Sequence, residues 1–368
     1  MSLTLFGTDD KVISTDKIVT STWTNNLNNL QTAQTSSLQA GLGPGEGYAT
    51  ATSSGQFFIE VYQTASTSTQ SEVQYAVAYG NRHGSGSPNF TDDTGSLGLN
   101  ASRVIYSQYQ QLIFNDEASF FTFDGHTPDD IYVLNVNRSR YKHNLKPGTL
   151  NLHLSGCNLG LNEGGFGTEG LTTIHLTDDS VTNGGVSIQT SLGRQFNIVS
   201  GSSGIQSGSI LGQIQNSSSY GLFYPDAGIV LLNADNFGGG LRPATNDGLS
   251  TNTDRNNIKL KNHISGGLVS DDEGFTTQRF VLDSEEKVTS QYYFIRTKNN
   301  EYNYTTNPSF VDTNGVLNFD SMIDNPTVYI TTIGLFNNAG DMVAVAKLSQ
   351  PITKDFTKEA LIRVKLDY

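Results

Sequence analysis

The stretch Val328–Tyr368, VYITTIGLFNNAGDMVAVAKLSQPITKDFTKEALIRVKLDY, decides the fold class. Its first half sets two runs of about seven residues, rich in β-branched and aromatic side chains, on either side of Asn337–Asp341, which specifies an antiparallel hairpin. Its end alternates Leu361, Arg363 and Lys365 against Ile362, Val364 and Leu366, giving a strand with one apolar face. Just upstream, Gln278–Leu282 and Ser290–Thr297 (SQYYFIRT) read as strands, with the acidic DSEEK between them as a solvated turn. Strands of this kind stack into a sandwich or small barrel, so residues 278–368 are read as a C-terminal β-sandwich module. Its last strand is expected to be sealed inside its own sheet, with Arg363 and Lys365 pointing outward.

Working toward the N-terminus, residues 158–277 are the richest in Gly and Ser and form a second β domain or an insertion. Within them YGLFYPDAGIVLLNAD carries a Pro-Asp turn and a buried strand from Ile229 to Leu232, while DGLSTNTDRNNIKLKNHISGG fits a short helix or a loop. Residues 48–157 form a first β domain. GQFFIEVYQTA and EVQYAVAYGN alternate as a strand pair, DDIYVLNVNRSRY alternates again, and KPGTLNLHLSG places Pro147-Gly148 in a turn before Leu150, Leu152 and Leu154. ASRVIYSQYQQLIF fits either helix or strand. The loop NRHGSGSPNF at 81–90 is expected to be mobile and exposed. Residues 1–47 read as an arm ending in the Gly/Pro hinge GLGPGEG. In the arm Trp23, Leu27, Leu30 and Leu38 share one helical face across Ser14–Gln39, to pack on a partner or on its own domain. The expected fold is therefore mainly β: several antiparallel sandwich or small-barrel modules behind a short N-terminal helix or arm.

Composition bounds the function. The chain has 368 residues, of which 15 % are charged against roughly 25 % in average proteins. Gly, Ser, Thr, Asn and Gln supply the polarity, which suits turns and pleated surfaces. A net charge of −13 repels phosphate backbones, so nucleic acid is not an expected partner. No run approaches the eighteen apolar residues of a membrane helix, and MSLTLFGTDDKV has no secretory pattern, so no membrane partner is expected. The single Cys157 forms no internal disulfide, which fits synthesis in a reducing cytoplasm.

Catalytic patterns are thin. There is no G-x-S-x-G elbow, no P-loop and no H-E-x-x-H. His153 and Cys157 on one strand would lie about 13 Å apart, too far to share an ion, so neither metal nor cofactor is expected. The acidic pairs Asp9-Asp10, Asp92-Asp93, Asp129-Asp130, Asp178-Asp179 and Asp271-Asp272 read as solvated turns. The candidate residues are those of an interface: Trp23, Leu27 and Leu30 in the arm, Arg82 and His83 in the loop, and Tyr302 and Tyr304 in an Asn- and Tyr-rich segment.

The runs STDKIVTSTW, EVQYAVAYGNRHGSGS, SRVIYSQYQQLIF, DDIYVLNVNRSRYK, YGLFYPDAGIVLLNAD, SQYYFIRTKNNEYNYTTNPSF and the C-terminal stretch quoted above resemble a virion structural protein of contractile-tailed marine cyanophages. The resemblance spans nearly the whole chain and is strongest at the C-terminus. It implies a non-enzymatic particle component of the tail, baseplate or neck, made in the host cytoplasm. Its partners would be other virion proteins, in a homo-oligomer or symmetric assembly. Host-receptor adhesin is the alternative, followed by a polysaccharide-degrading tail enzyme.

Overall fold

Alternating apolar residues recur along the described strands, and the computed structural model accordingly shows a mainly β protein of antiparallel sheets with few helices. It describes residues 4–26, 34–35, 58–64, 68–86, 101–157, 172–206, 219–237, 241–243, 256–265, 280–305 and 307–368. In chain order the strands are β1 (Lys11–Ser21), β2 (Gln34–Thr35), β3 (Phe58–Tyr62), β4 (Val73–Asn81), β5 (Asp130–Val136), β6 (Asn144–Leu145), β7 (Asn151–Cys157), β8 (Thr172–Asp178) and β9 (Ile188–Thr190). They continue as β10 (Gly193–Ser202), β11 (Ile205–Gln206), β12 (Gly221–Tyr224), β13 (Ile229–Asn233), β14 (Phe280–Val281), β15 (Asp283–Thr297), β16 (Val328–Phe336), β17 (Met342–Lys354) and β18 (Ala360–Asp367).

Two units divide the chain: Ile18–Glu286, and a second made of Met1–Lys17 with Lys287–Tyr368. The larger unit is built on one curled sheet in the order β14-β7-β8-β10-β12-β13-β5-β4-β3-β2, with β9 and β11 added on β10. Residues 48–157 and 158–277 are therefore not separate domains: β8 to β13 sit between β7 and β5 in the same sheet. The C-terminal module begins at Lys287 rather than 278, because β14 pairs with β7 through Phe280↔Leu152.

The central strands are buried on both faces, and their alternation sorts residues into two apolar clusters. Tyr132, Leu134 and Val136 of β5 and Val230 and Leu232 of β13 join one cluster; Ile131, Val133, Ile229 and Leu231 join the other. ASRVIYSQYQQLIF is a helix, Ala101–Phe114, and it covers the second cluster with Ile105, Tyr106, Tyr109 and Ile113. Gly80 of β4 lets it sit close, since a Cβ there would lie 2.9 Å from the Tyr106 backbone nitrogen. A second helix, Asn256–Ser265, realises the helical option at that segment and adds Leu260 and Ile264 to the first cluster.

Several expectations are corrected. Lys11–Ser21 is a strand, not part of a helix, because Val12, Ile13, Thr15, Ile18, Val19 and Thr20 make it dense in β-branched residues. The expected helical face fails with it: Trp23 is inside the core, while Leu27, Leu30, Leu38 and the hinge at 41–47 lie outside the described residues. DSEEK is not a turn: Asp283–Thr297 is one strand, and Ser284 and Glu285 are buried where they pair with Leu145 and Asn144 of β6. The pair Asp178-Asp179 is buried, not solvated. The Asp178 carboxylate accepts from the Gly148 and Ser180 backbone nitrogens, and Asp179 accepts from Asn197 N and Nδ2, both at 3.0 Å. Asp92-Asp93 and Asp271-Asp272 lie outside the described residues.

The smaller unit contains β1 up to Lys17, β15 from Lys287 and β18, in the order β1-β15-β18, and the two-stranded ribbon β16-β17. β15 and β18 pair from Ser290↔Asp367 to Thr297↔Ala360. Ile362 and Val364 turn inward and Arg363 and Lys365 outward, as the alternation of the last strand requires. β18 ends its sheet instead of lying inside it, and its charges Arg363, Lys365 and Asp367 mark a guarded edge.

Candidate interaction surface

The smaller unit is marked by apolar residues left uncovered. Of 28 large hydrophobic side chains exposed among the described residues, 18 belong to it, from Leu5 to Tyr368. Its buried hydrophobics among the described residues are Val311, Leu335, Ile362 and Val364, and none of them joins either apolar cluster. A module of this size normally buries well over half of its unfolded surface. This one presents its apolar residues outward.

The ribbon β16–β17 concentrates the effect. Local chemistry explains why it forms: Asn337 Oδ1 accepts from Ala339 N at 3.0 Å and Asp341 N at 2.8 Å, and Gly340 takes the left-handed φ of 87° that the turn needs. Tyr329 (63 % exposed), Met342 (60 %), Val343 (68 %) and Val345 lie open on it. A two-stranded ribbon is marginal alone and leaves both edges unpaired. The edge of β17 is interrupted by Lys347, Pro351 and a shift in pairing from Thr332↔Lys347 to Ile330↔Ile352. β16, VYITTIGLF, has no charged residue and no proline.

Tyr302 and Tyr304, two of the residues expected at an interface, are exposed in this unit. Their loop is pinned by Lys354, fully buried, whose Nζ donates to Asn303 Oδ1 at 2.7 Å, Asn299 O at 2.9 Å and Asp355 O at 3.0 Å. A shallow groove of about 410 Å³, lined by Phe6, Gly7, Thr8, Lys11, Ile13 and Tyr293, adds to the open apolar surface. Phe6 and Tyr293 pack there with ring centroids 5.3 Å apart.

Trp23 does not belong to a surface. It is 1 % exposed in the larger unit, its Nε1 donates to Phe280 O at 2.8 Å, and its ring packs on Phe280 at 4.8 Å and Tyr75 at 6.0 Å. Arg82 and His83 lie together at one end of β4. The Arg82 guanidinium stacks 3.7 Å from the Phe120 ring centre and is 3.8 Å from Asp129, and exposed His83 is 3.5 Å from the same carboxylate. The first part of their loop is not open: Asn81, Gly84 and Gly86 are buried, and Asn81 Oδ1 accepts from the backbone of His83 and Ser85. Residues 87–90 lie outside the described residues.

That strand end also gathers Asp130 and Asp235, and Asp130, expected in a solvated turn, is instead buried at the start of β5. Burial pushes both carboxyls above their ordinary range. Asp130 Oδ1 is committed to the Tyr79 hydroxyl and to Asn81 Nδ2, and Asp235 meets His126 at 3.4 Å. His153 faces His175 across β7 and β8 with rings stacked at 3.9 Å. Among the described residues no three His, Cys, Asp or Glu side chains group as metal ligands, and no described helix is long and apolar enough to cross a membrane.

Fold and surface together define an antiparallel β protein carrying a module with uncovered apolar strands. No protein-family model matches the chain, and neither a curated protein nor a solved structure does.

Proposed function

We propose that this protein is a non-enzymatic structural component of a tailed-phage particle, in the tail, baseplate or neck, where it assembles with other particle proteins. The observation that carries the assembly reading is the smaller unit, which exposes 18 large apolar side chains and contributes nothing to the two apolar clusters. Surfaces of that kind in a water-soluble chain are covered by partners. The sequence resemblance set out above supplies the particle. The reading involves no cofactor, and the charge of −13 argues against DNA as the partner. The buried, doubly bonded Asp130 argues against hydrolysis, since a general acid must reach its substrate.

Immunogold labelling of intact particles, with antibodies to the larger unit, tests this. Gold at the tail end or neck in constant number is the expected result. Particles that lack the protein by mass spectrometry would overturn it.

A second reading, host adhesion, is favoured by one feature: Tyr302 and Tyr304 stand exposed on a loop fixed by Lys354, as aromatic sugar platforms do. Glycan-array binding by the purified chain, lost in Tyr304→Ala, together with gold at fibre tips, would replace the structural reading.

A further inference from the structure

The two units differ sharply in charge. Ile18–Glu286 holds 12 basic and 24 acidic residues, a net −12, whereas Met1–Lys17 with Lys287–Tyr368 holds 10 and 11, a net −1. Copies meeting through their larger units would bring two strongly negative bodies together. Copies meeting through their smaller units would not.

We propose that the occupant of the uncovered surface is a second copy of this chain, joined through the free edge of β16. This deepens the assembly reading above by naming the partner. Three observations support it. First, the edge of β16 is unpaired among the described residues and carries neither charge nor proline, the two devices that ordinarily keep strand edges apart. Second, an uncharged strand can pair antiparallel with its own copy about a two-fold axis without setting like charges opposite one another, and two-fold dimers are the commonest oligomers.

Third, apolar area lies beside the edge. Tyr329, Phe336, Met342, Val343 and Val345 are exposed on the ribbon, with on the order of 100 Å² from each aromatic ring, toward the about 800 Å² that a stable interface takes from each partner. The exposed faces of Tyr329, Phe336, Met342, Val343 and Val345 flank the joined edge, so pairing would extend the ribbon into a four-stranded sheet with a continuous apolar face.

The test uses the purified full-length chain. Light scattering after size exclusion at about 10 μM is expected to give a dimer or a closed multiple of it, a range in which interfaces of this size persist. Thr332→Lys with Ile330→Lys, which places charges along the β16 edge, is expected to give monomers with the thermal unfolding of the larger unit unchanged. Because that variant could disturb the ribbon itself, single cysteines at 330, 332 and 334 in a Cys157→Ser chain provide a second measurement. Near-quantitative disulfide dimer at one of these positions, with the others lower by tenfold or more, is expected for symmetric pairing. A monomeric wild type, an oligomer insensitive to both β16 variants, or a monomer that binds stoichiometrically to a different particle protein would overturn the second copy as occupant. A monomer found in particles that still carry gold at the tail would remove this inference and leave the proposed location standing.

Discussion

The buried ammonium of Lys354 donates to Asn303 Oδ1 at 2.7 Å, with its other two hydrogen bonds going to backbone carbonyls of Asn299 and Asp355. A lysine enclosed by neutral oxygens is costly unless every donor is used, and here three acceptors match its three protons. The bond ties the end of β17 to the loop that displays Tyr302 and Tyr304. Lys354→Met removes this donor from all three oxygens, of which Asn299 O keeps Asn303 Nδ2 at 2.7 Å, and is expected to lower the stability of the smaller unit by about 1–3 kcal/mol. Amide exchange across residues 298–305 should rise with it. Unchanged exchange in that loop would show that the lysine does not pin it.

Trp23 is the only tryptophan in the chain and sits between Phe280 and Tyr75. Its fluorescence is expected to be blue-shifted in the native protein and to move red in a single transition with the larger unit. Trp23→Ala should cost about 3–5 kcal/mol. Native emission typical of a solvated indole would contradict its placement.

Gly80 admits the backbone of the helix Ala101–Phe114 at a distance no other residue allows. Gly80→Ala is expected to destabilise the larger unit by about 1–3 kcal/mol through overpacking, and Gly80→Val by more. Urea midpoints compared with wild type measure this, and equal midpoints would mean that the helix moves aside freely.

Burial holds the His175 imidazole below its ordinary pKa of 6.5. The fold therefore favours the neutral ring, and the stability contributed by this group is lost as pH falls from about 6.5 downward. Asp178 and Asp130 work in the opposite sense, since burial raises both, so their protonation favours the fold as pH falls toward the ordinary carboxylate value of 3.8. The difference between wild type and His175→Phe isolates the histidine. The wild type is expected to lose more stability than the variant between pH 7.5 and 5.5, and parallel losses would rule the effect out.

What could be read from the sequence was whatever local chemistry determines. The β16–β17 hairpin was legible because Asn337, Gly340 and Asp341 specify the turn and β-branched residues flank it. The strand from Ile229 and the alternation of Ile362 and Val364 were legible for the same reason. Two kinds of residue misled. Trp23, Leu27, Leu30 and Leu38 fall at helical spacing, yet the β-branched density of Lys11–Ser21 decides the backbone there. The charges of DSEEK suggest a turn, but β6 supplies a pairing partner that no local pattern announces. The division into units was hidden because it depends on pairing between β1 and β15 across the length of the chain. Of the candidate surface, Tyr302 and Tyr304 were visible in the sequence. The openness of Tyr329, Val343 and Val345 was not, since alternation tells which side chains share a face and not whether anything covers it.

The discontinuity of the smaller unit, Met1–Lys17 completed by Lys287–Tyr368, sets a timetable on the ribosome. After β1 emerges, about 270 residues must be translated before β15 is available to pair with it, roughly 15–50 s at ordinary elongation rates. The larger unit is complete within that interval and can fold first, while β1 waits unpaired with Val12 and Ile13 open to water. Newly made chains therefore acquire their acidic body before their apolar one, an order that would delay the proposed association until each molecule is otherwise finished.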